Sequence, residues 1–200
     1  MRKPLAIDMQ NVSALILAGG RASRMQGQDK GLIKLGEYSL VAHVIQQLRI
    51  QIQQITISAN RNQTDYARFG YPVIGDSNND YAGPMAGILA GLQTCKTDWL
   101  LVCPCDAPFL PGEFAWRMQN RIRDTRTMVC MAETMGRLQP VHLLLHRSLR
   151  DSLQENLQQG KQKMQLWLTE QDYCTCDFSD QPEAFFNINT HADLQQATKQ

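Results

Sequence analysis

The sequence has almost no net charge and no long apolar run, and each absence excludes a class of protein. Its 200 residues carry a formal net charge of +1, so no overall field favours nucleic acid or an anionic membrane surface. No apolar run approaches the roughly 18 residues of a membrane-spanning helix. Asp8, Gln10 and Asn11 interrupt the N-terminal stretch where a signal core would lie. We therefore expect a cytoplasmic protein that binds neither nucleic acid nor membrane.

The cysteine spacing of a zinc site is also missing. The six cysteines stand at positions 95, 103, 105, 130, 174 and 176, without a Cys-x-x-Cys, and the Cys-x-Cys pairs are too tight for the usual zinc spacings. In a reducing compartment such residues behave as small apolar side chains. We expect them to be buried, mainly on strands.

Short apolar runs alternate with helical periodicities in the first half of the chain. The runs Val12 to Ala18, Ile55 to Ile57, YPVIGDS and DWLLVCP predict strands. A helix is predicted after Ser39 from the spacing of Leu40, Val44 and Leu48, and another after Gly83-Pro84. This order predicts an α/β fold, a three-layer, Rossmann-like domain with a mostly parallel mixed sheet.

The second half is less regular. Helical stripes begin at Phe114 and at Leu149, and strands are predicted over 128–132 and 141–145. The closing FFNINT segment predicts a strand, followed by a helix with a capping box at Thr190. No linker or repeat divides the chain, so we expect a single domain over 1–200.

A glycine-rich loop follows the first predicted strand. In LAGGRASRMQGQDKG, Gly19 and Gly20 permit close approach of the backbone to a ligand, and Arg24 and Lys30 bring positive charge. A strand, a glycine turn and a helix together form a phosphate-binding arrangement. The spacing is neither G-x-G-x-x-G nor that of a P-loop, because Gly31 follows Lys30. The residues alone leave open an ordinary turn with solvated basic side chains.

Two aspartates, Asp76 and Asp106, follow predicted strands. The carboxyl ends of parallel strands share one edge of the sheet, where such domains bind ligands. Each aspartate alone is typical of a turn or a helix cap. Together, beside a phosphate loop, they favour a magnesium site completed by substrate phosphates and water.

These motifs together resemble the nucleotidyltransferases, and most closely the molybdenum cofactor guanylyltransferases. The resemblance is carried by Leu17-Ala18-Gly19-Gly20, Ser23-Arg24-Met25, Asp29-Lys30-Gly31, GDSNNDYAGP and CPCDAP. It implies transfer of GMP from GTP to molybdopterin carrying molybdenum, with release of pyrophosphate and with Mg²⁺ as the cofactor. It further implies a nucleotide-binding half (about 12–110), an acceptor-binding half (about 111–200), a monomer, and cofactor-synthesis proteins and molybdoenzymes as partners.

The resemblance also implies roles for single residues. Arg24, Lys30 and Asp106 would be catalytic, and Asp106 and Asp76 would hold the metal. The residues implied to bind GTP are Leu17, Ala18, Gly19, Gly20, Lys30, Ser58, Asp76 and Asp106. Those implied to bind the acceptor are Arg137 in RLQP and Asn187 and Asn189 in FFNINT. Relatives often carry Asn where this chain has Ser58, and arginine where it has Lys161 and Lys163.

Three other functions compete with this interpretation. A cytidylyl- or sugar-nucleotidyltransferase would differ in nucleotide preference. A GTP-binding carrier without activity would have little use for the metal-binding aspartates. A dehydrogenase would need the glycine spacing that this chain lacks.

Overall fold

The computed structural model describes residues 7–18, 29–76 and 83–199. These residues form the strands β1 (Val12–Leu17), β2 (Lys34–Leu35), β3 (Tyr38–Ser39), β4 (Gln54–Ser58), β5 (Val73–Ile74), β6 (Trp99–Pro104), β7 (Val129–Thr134), β8 (Arg137–His146) and β9 (Tyr173–Asp177). The α-helices are α1 (Leu40–Arg49), α2 (Gln63–Ala67), α3 (Pro84–Thr94), α4 (Phe114–Thr125), α5 (Arg150–Gln158), α6 (Met164–Thr169) and α7 (His191–Ala197). Short 3₁₀ helices cover Met9–Asn11, Lys30–Leu32, Arg147–Leu149 and Pro182–Phe185.

A seven-stranded sheet in the order β5-β4-β1-β6-β8-β7-β9 forms the centre. β5, β4, β1 and β6 run parallel, β8 is antiparallel to both of its neighbours, and β9 is parallel to β7. The predicted mostly parallel mixed sheet is confirmed. The carboxyl ends of these four parallel strands, which the candidate ligand-binding residues follow in sequence, therefore lie at the same edge.

Helices cover the sheet on both faces, which confirms the three layers. Alternate residues of β1 face opposite sides, so Ala14 and Ile16 pack in one core with α1 and α4. Leu15 packs in the other core with α3, α5 and α6. The helix α3 packs so close to β1 that a Cβ added at Gly91 would stand 2.6 Å from the Leu15 side chain.

Several local predictions are confirmed. α1 starts directly after Ser39, α3 starts with Pro84 at its first position, and Thr190 and Asp193 form the capping box of α7. The cysteines 103, 105, 130, 174 and 176 are buried, and Cys95 is partly exposed.

None of the helices in the described ranges is long and apolar enough to cross a membrane.

The closing segment differs from its prediction. Asn187 and Asn189 lie in an irregular stretch after the 3₁₀ helix Pro182–Phe185 and not on a strand. The backbone N–H of Ile188 donates to the carbonyl of Asp106, 2.9 Å away. The segment is thus anchored to the loop after β6 without joining the sheet.

The strand β9 forms an edge of the sheet, and arginines of α4 cover it. Arg121 Nε donates to the carbonyl of Thr175 at 2.8 Å, and Arg117 donates to the carbonyl of Asp177. In the parallel pairing with β7 these two carbonyls face away from the partner strand. Arg117 also pairs with Asp180 and stacks on the Phe178 ring at 4.1 Å.

Candidate active site

The carboxyl ends of β1, β4 and β6 are tied together by backbone hydrogen bonds. Ala18 donates to the carbonyl of Ser58 at 2.8 Å, and Cys105 donates to the carbonyl of Leu17 at 3.0 Å. Leu17 and Ala18 therefore sit between the ends of the two neighbouring strands. Their position fits backbone contacts to a ligand lying over this edge.

Lys30, Asp106 and Asn189 come together at this edge from distant parts of the chain. The Lys30 ammonium donates to Asn189 Oδ1 at 2.5 Å and lies 3.6 Å from Asp106 Oδ2. The Lys30 and Asp106 side chains are 23% and 17% exposed. This partial access leaves both charges available to a ligand.

Asp106 lies in a site that disfavours its charge. Burial raises the pKa of the Asp106 carboxyl above its ordinary value, and the neighbouring Lys30 ammonium opposes that rise. A cation bound at this carboxylate would favour the ionised form in the same way as Lys30 does.

Asp76 forms a separate pair with Asn60. Asn60 Nδ2 donates to Asp76 Oδ2 at 2.7 Å, and the Asp76 backbone N–H donates to Asn60 Oδ1 at 2.8 Å. Burial raises the pKa of the Asp76 carboxyl, and the Asn60 hydrogen bond lowers it. The strands β4 and β1 lie between β5 and β6, and neighbouring strands are about 4.8 Å apart. The structure does not bring Asp76 and Asp106 together in one cluster.

Ser58 ends β4 but points into the protein. Its side chain is 2% exposed, and its hydroxyl stands 2.8 Å from the position that a Cβ on Gly87 of α3 would take. Among the predicted GTP-binding residues, Gly19 and Gly20 lie outside the described residues, as does Arg24.

Asp29 lies at the centre of a hydrogen-bond network that the sequence interpretation missed. Its carboxylate accepts from the Tyr66 hydroxyl at 2.5 Å, from Asn62 Nδ2 at 3.0 Å and from the Gly31 backbone N–H at 3.3 Å. Burial raises the pKa of Tyr66 well above its ordinary value, so this hydroxyl stays a proton donor. Only the Asp29-Lys30-Gly31 motif hinted at this cluster, because Asn62 and Tyr66 belong to a different loop and helix.

The predicted acceptor residues lie along the C-terminal half. Asn189 Nδ2 donates to the carbonyl of Asn187 at 3.3 Å. The buried Oδ1 of Asn187 has no hydrogen-bond partner among the described residues. Arg137 begins β8 and lines a cavity of about 500 Å³ together with Phe185 and Phe186. The cavity therefore adjoins the residues just before Asn187 and combines aromatic rings with a guanidinium.

No group of three or more His, Cys, Asp or Glu side chains within 7–18, 29–76 and 83–199 is arranged to hold a metal ion. A site built from protein ligands alone is therefore not found in this part of the chain. A single carboxylate that shares a cation with substrate phosphates does not need such a group.

Comparison with known proteins gives one family and consistent relatives. The model of the family described as MobA-like NTP transferase domain matches residues 14–174. A protein of Shewanella putrefaciens named molybdenum cofactor guanylyltransferase is 45% identical over 186 residues, covering 93% of this chain and 95% of its own length. A protein of the same name from Shewanella loihica is 43% identical over 188 residues, covering 94% and 96%.

Solved structures share the fold at low sequence identity. Molybdopterin-guanine dinucleotide biosynthesis protein A from Archaeoglobus fulgidus superposes with a TM-score of 0.79 at 21% identity, covering 94% of this chain and 97% of its own. A CMP:2-keto-3-deoxy-manno-octonic acid synthetase solved with CTP gives a TM-score of 0.71 at 17% identity, covering 94% and 97%. This chain therefore shares the fold of these two proteins.

Proposed function

The chain belongs to the MobA-like NTP transferase family, and on that premise we propose that it transfers GMP from GTP to the terminal phosphate of molybdenum-bound molybdopterin. The products are molybdopterin guanine dinucleotide and pyrophosphate. The two relatives named molybdenum cofactor guanylyltransferase align with this chain over nearly their whole length. The observation that carries the proposal is the meeting of Lys30 and Asp106 at the carboxyl edge of the sheet.

The reaction joins an anionic acceptor to a nucleotide, so it needs no activated side-chain nucleophile. An oxygen of the acceptor phosphate forms a bond to the α-phosphorus of GTP, and the bond from that phosphorus to the bridging oxygen breaks. Pyrophosphate leaves with the electron pair. Positioning and charge neutralisation then supply most of the rate. Lys30, with Arg24 of the glycine-rich sequence motif, is proposed to neutralise charge on the leaving pyrophosphate.

Enzymes of this family use a divalent metal, and we propose Mg²⁺. The Asp106 carboxylate fits it, because oxygen ligands suit a hard cation and substrate phosphates fill the remaining positions. Bound there, Mg²⁺ would supply Lewis-acid polarisation of the phosphoryl oxygens. Asp76 was predicted as a second ligand. Since β4 and β1 separate it from Asp106, we assign it primarily to the nucleotide, where Asn60 holds it in place.

The remaining residues are assigned by their place at the edge. Leu17 and Ala18 are proposed to contact guanine through backbone groups, with Gly19 and Gly20 allowing close approach. The Ser58 carbonyl accepts a hydrogen bond from the backbone N–H of Ala18. Ser58 is therefore proposed to support the guanine contact indirectly, by holding Ala18 in place.

Residues 111–200 are proposed to bind the acceptor, and about 12–110 the nucleotide. Three features support this division: the Asn187 oxygen, which has no hydrogen-bond partner among the described residues, Asn189 and the Arg137 cavity. An acceptor with a fused ring and a phosphate needs polar groups, an apolar surface and a cation. We further propose that the enzyme works as a monomer in the cytoplasm. Its expected partners are cofactor-synthesis proteins and molybdoenzymes.

The test compares two aspartates at opposite ends of β6. Binding of GTP, CTP, ATP and UTP is measured by calorimetry with and without Mg²⁺ for the wild type, Asp106→Asn and the control Asp98→Asn. Asp98 precedes β6 and pairs with Arg147. We expect Mg²⁺-dependent preference for GTP that Asp106→Asn weakens and Asp98→Asn leaves intact. Preference for CTP would indicate a cytidylyltransferase. Absence of all nucleotide binding, with and without the molybdopterin acceptor, would overturn the proposal.

A further inference from the structure

Tyr66 places a hydroxyl against the backbone next to Lys30. The Tyr66 side chain has no exposed surface, and its hydroxyl donates to Asp29 Oδ1 at 2.5 Å. A Cβ on Gly31 would overlap this hydroxyl and would lie 3.1 Å from Cys105 Sγ. The hydroxyl therefore occupies the space that a side chain at Gly31 would need.

Asn62 also donates to the Asp29 carboxylate, and its own backbone is left-handed. Its φ of 52° is left-handed, a conformation that asparagine adopts more readily than most residues other than glycine. Asn62 stands at the N-cap position of α2, but its side chain makes no capping hydrogen bond there. It donates to Asp29 Oδ2 instead, 3.0 Å away. Both donors thus reach Asp29 from the β4–α2 region.

The network fixes the backbone on both sides of Lys30. Asp29 is held by Tyr66 and Asn62, and its Oδ1 also accepts from the N–H of Gly31. Lysine has a long and flexible side chain, so the position of its ammonium group depends on how firmly its backbone is held. The Lys30 ammonium then spans the gap between Asn189 and Asp106.

We propose that Tyr66 is a positioning residue for the transferase reaction: its hydroxyl acts through Asp29 to set the place of the Lys30 ammonium. Tyr66 does not touch the substrate in this role. The inference rests on the proposed function, in which Lys30 meets the charge that develops on pyrophosphate. Asn62 contributes to the same effect through the other oxygen of Asp29.

The test is a double-mutant cycle on guanylyl transfer with saturating acceptor. The variants are Tyr66→Phe, Lys30→Met and the pair together, and the control is Tyr71→Phe. Tyr71 lines a different cavity with Ser13 and Gln54. We expect Tyr66→Phe to lower kcat by about ten- to a hundredfold with little change in the KM for GTP. In the Lys30→Met background the same substitution should have no further effect on kcat. Tyr71→Phe should match the wild type.

Each outcome separates the two proposals. Lack of guanylyl transfer by the wild type would overturn the proposed function and, with it, this inference. An active wild type with Tyr66→Phe at full kcat would overturn the positioning role alone. An equal loss of kcat in both Lys30 backgrounds would likewise overturn it, because a merely structural role adds independently of Lys30.

A second variant covers the case in which Tyr66→Phe does not fold. Asn62→Gly removes the amide donor but suits the left-handed backbone at this position. We expect a smaller loss of kcat, by about three- to tenfold, that again disappears in the Lys30→Met background. Full kcat in Asn62→Gly, with Tyr66→Phe unfolded, would overturn the inference.

Discussion

His142 makes the stability of this protein depend on pH in a way that one substitution should remove. The side chain is completely buried, 4.7 Å from the Phe185 ring and 6.1 Å from the Phe114 ring between centroids. Neither ring nitrogen has a hydrogen-bond partner in the described part of the chain. Burial lowers the pKa of His142 to about 3. The imidazole of the folded protein is therefore neutral between about pH 5 and about pH 8, the range of the unfolding assay.

The size of the effect follows from proton linkage. An unfolded chain binds a proton at His142 below about pH 6.5, whereas the folded chain does so only near a pKa of about 3. The folded-state pKa is the lower one, so stability is complete above pH 6.5 and is lost as the pH falls toward 3. At about pH 5 the loss relative to pH 8 is about 2 kcal/mol. This figure holds for any folded-state pKa below about 4.

The assay is equilibrium unfolding in urea at about pH 8 and about pH 5. His142→Leu replaces the imidazole by an apolar side chain of similar volume, and His191→Gln changes an exposed histidine as the control. From pH 8 to pH 5 the wild type should lose about 2 kcal/mol more stability than His142→Leu does. His191→Gln should follow the wild type. An identical pH dependence in the wild type and His142→Leu would contradict this prediction, since the buried imidazole would then have to accept its proton without cost.

Three further predictions concern packing, capping and the nucleotide. Gly91→Ala should destabilise the fold by about 1–3 kcal/mol in urea unfolding, because its Cβ meets a leucine of β1; unchanged stability would show that α3 can move away. Asp193 caps α7 and accepts from the backbone N–H of Asn189. Asp193→Ala should therefore lower stability by about 1 kcal/mol in thermal unfolding and weaken acceptor binding. Acceptor affinity equal to that of the wild type would contradict a role of Asp193 in placing Asn189. Asn60→Ala should weaken GTP binding about tenfold in calorimetry by freeing Asp76; unaltered affinity would remove Asp76 from the nucleotide site.

The core of the fold could be predicted because its signals are local. A run such as Val12 to Ala18 is apolar throughout when both faces of a strand are covered, and Gly83-Pro84 marks a helix start by backbone chemistry alone. The small elements were missed for the opposite reason. The hairpin β2–β3 and the helices α2 and α6 are two to six residues long, too short to show a period. The strand β9 is five residues long and buries only Cys174 and Cys176 on its inner face, so its sequence holds too few apolar residues to show the alternation.

The candidate site was predicted in part. Lys30, Asp106 and Asn189 were each singled out, and the structure places them in contact. Asn62 and Tyr66 were not, because their partner Asp29 lies more than 30 residues away in sequence and no pattern within α2 points to it. The FFNINT segment was predicted as a strand from its composition. In the structure its backbone hydrogen-bonds to the loop after β6 and does not join the sheet. This is a tertiary contact, which β-propensity cannot predict.

The arginines of α4 that cover β9 have a consequence for the behaviour of the protein at high concentration. An edge strand with free carbonyls is a template on which a second chain can add a strand, and aggregation starts from such edges. At β9 the outward carbonyls of Thr175 and Asp177 already accept from Arg121 and Arg117. An incoming strand would have to displace two guanidinium groups, one of them also bound to Asp180. The opposite edge, β5, is only two residues long. In the described sheet, arginines thus protect one edge and short length the other against strand addition.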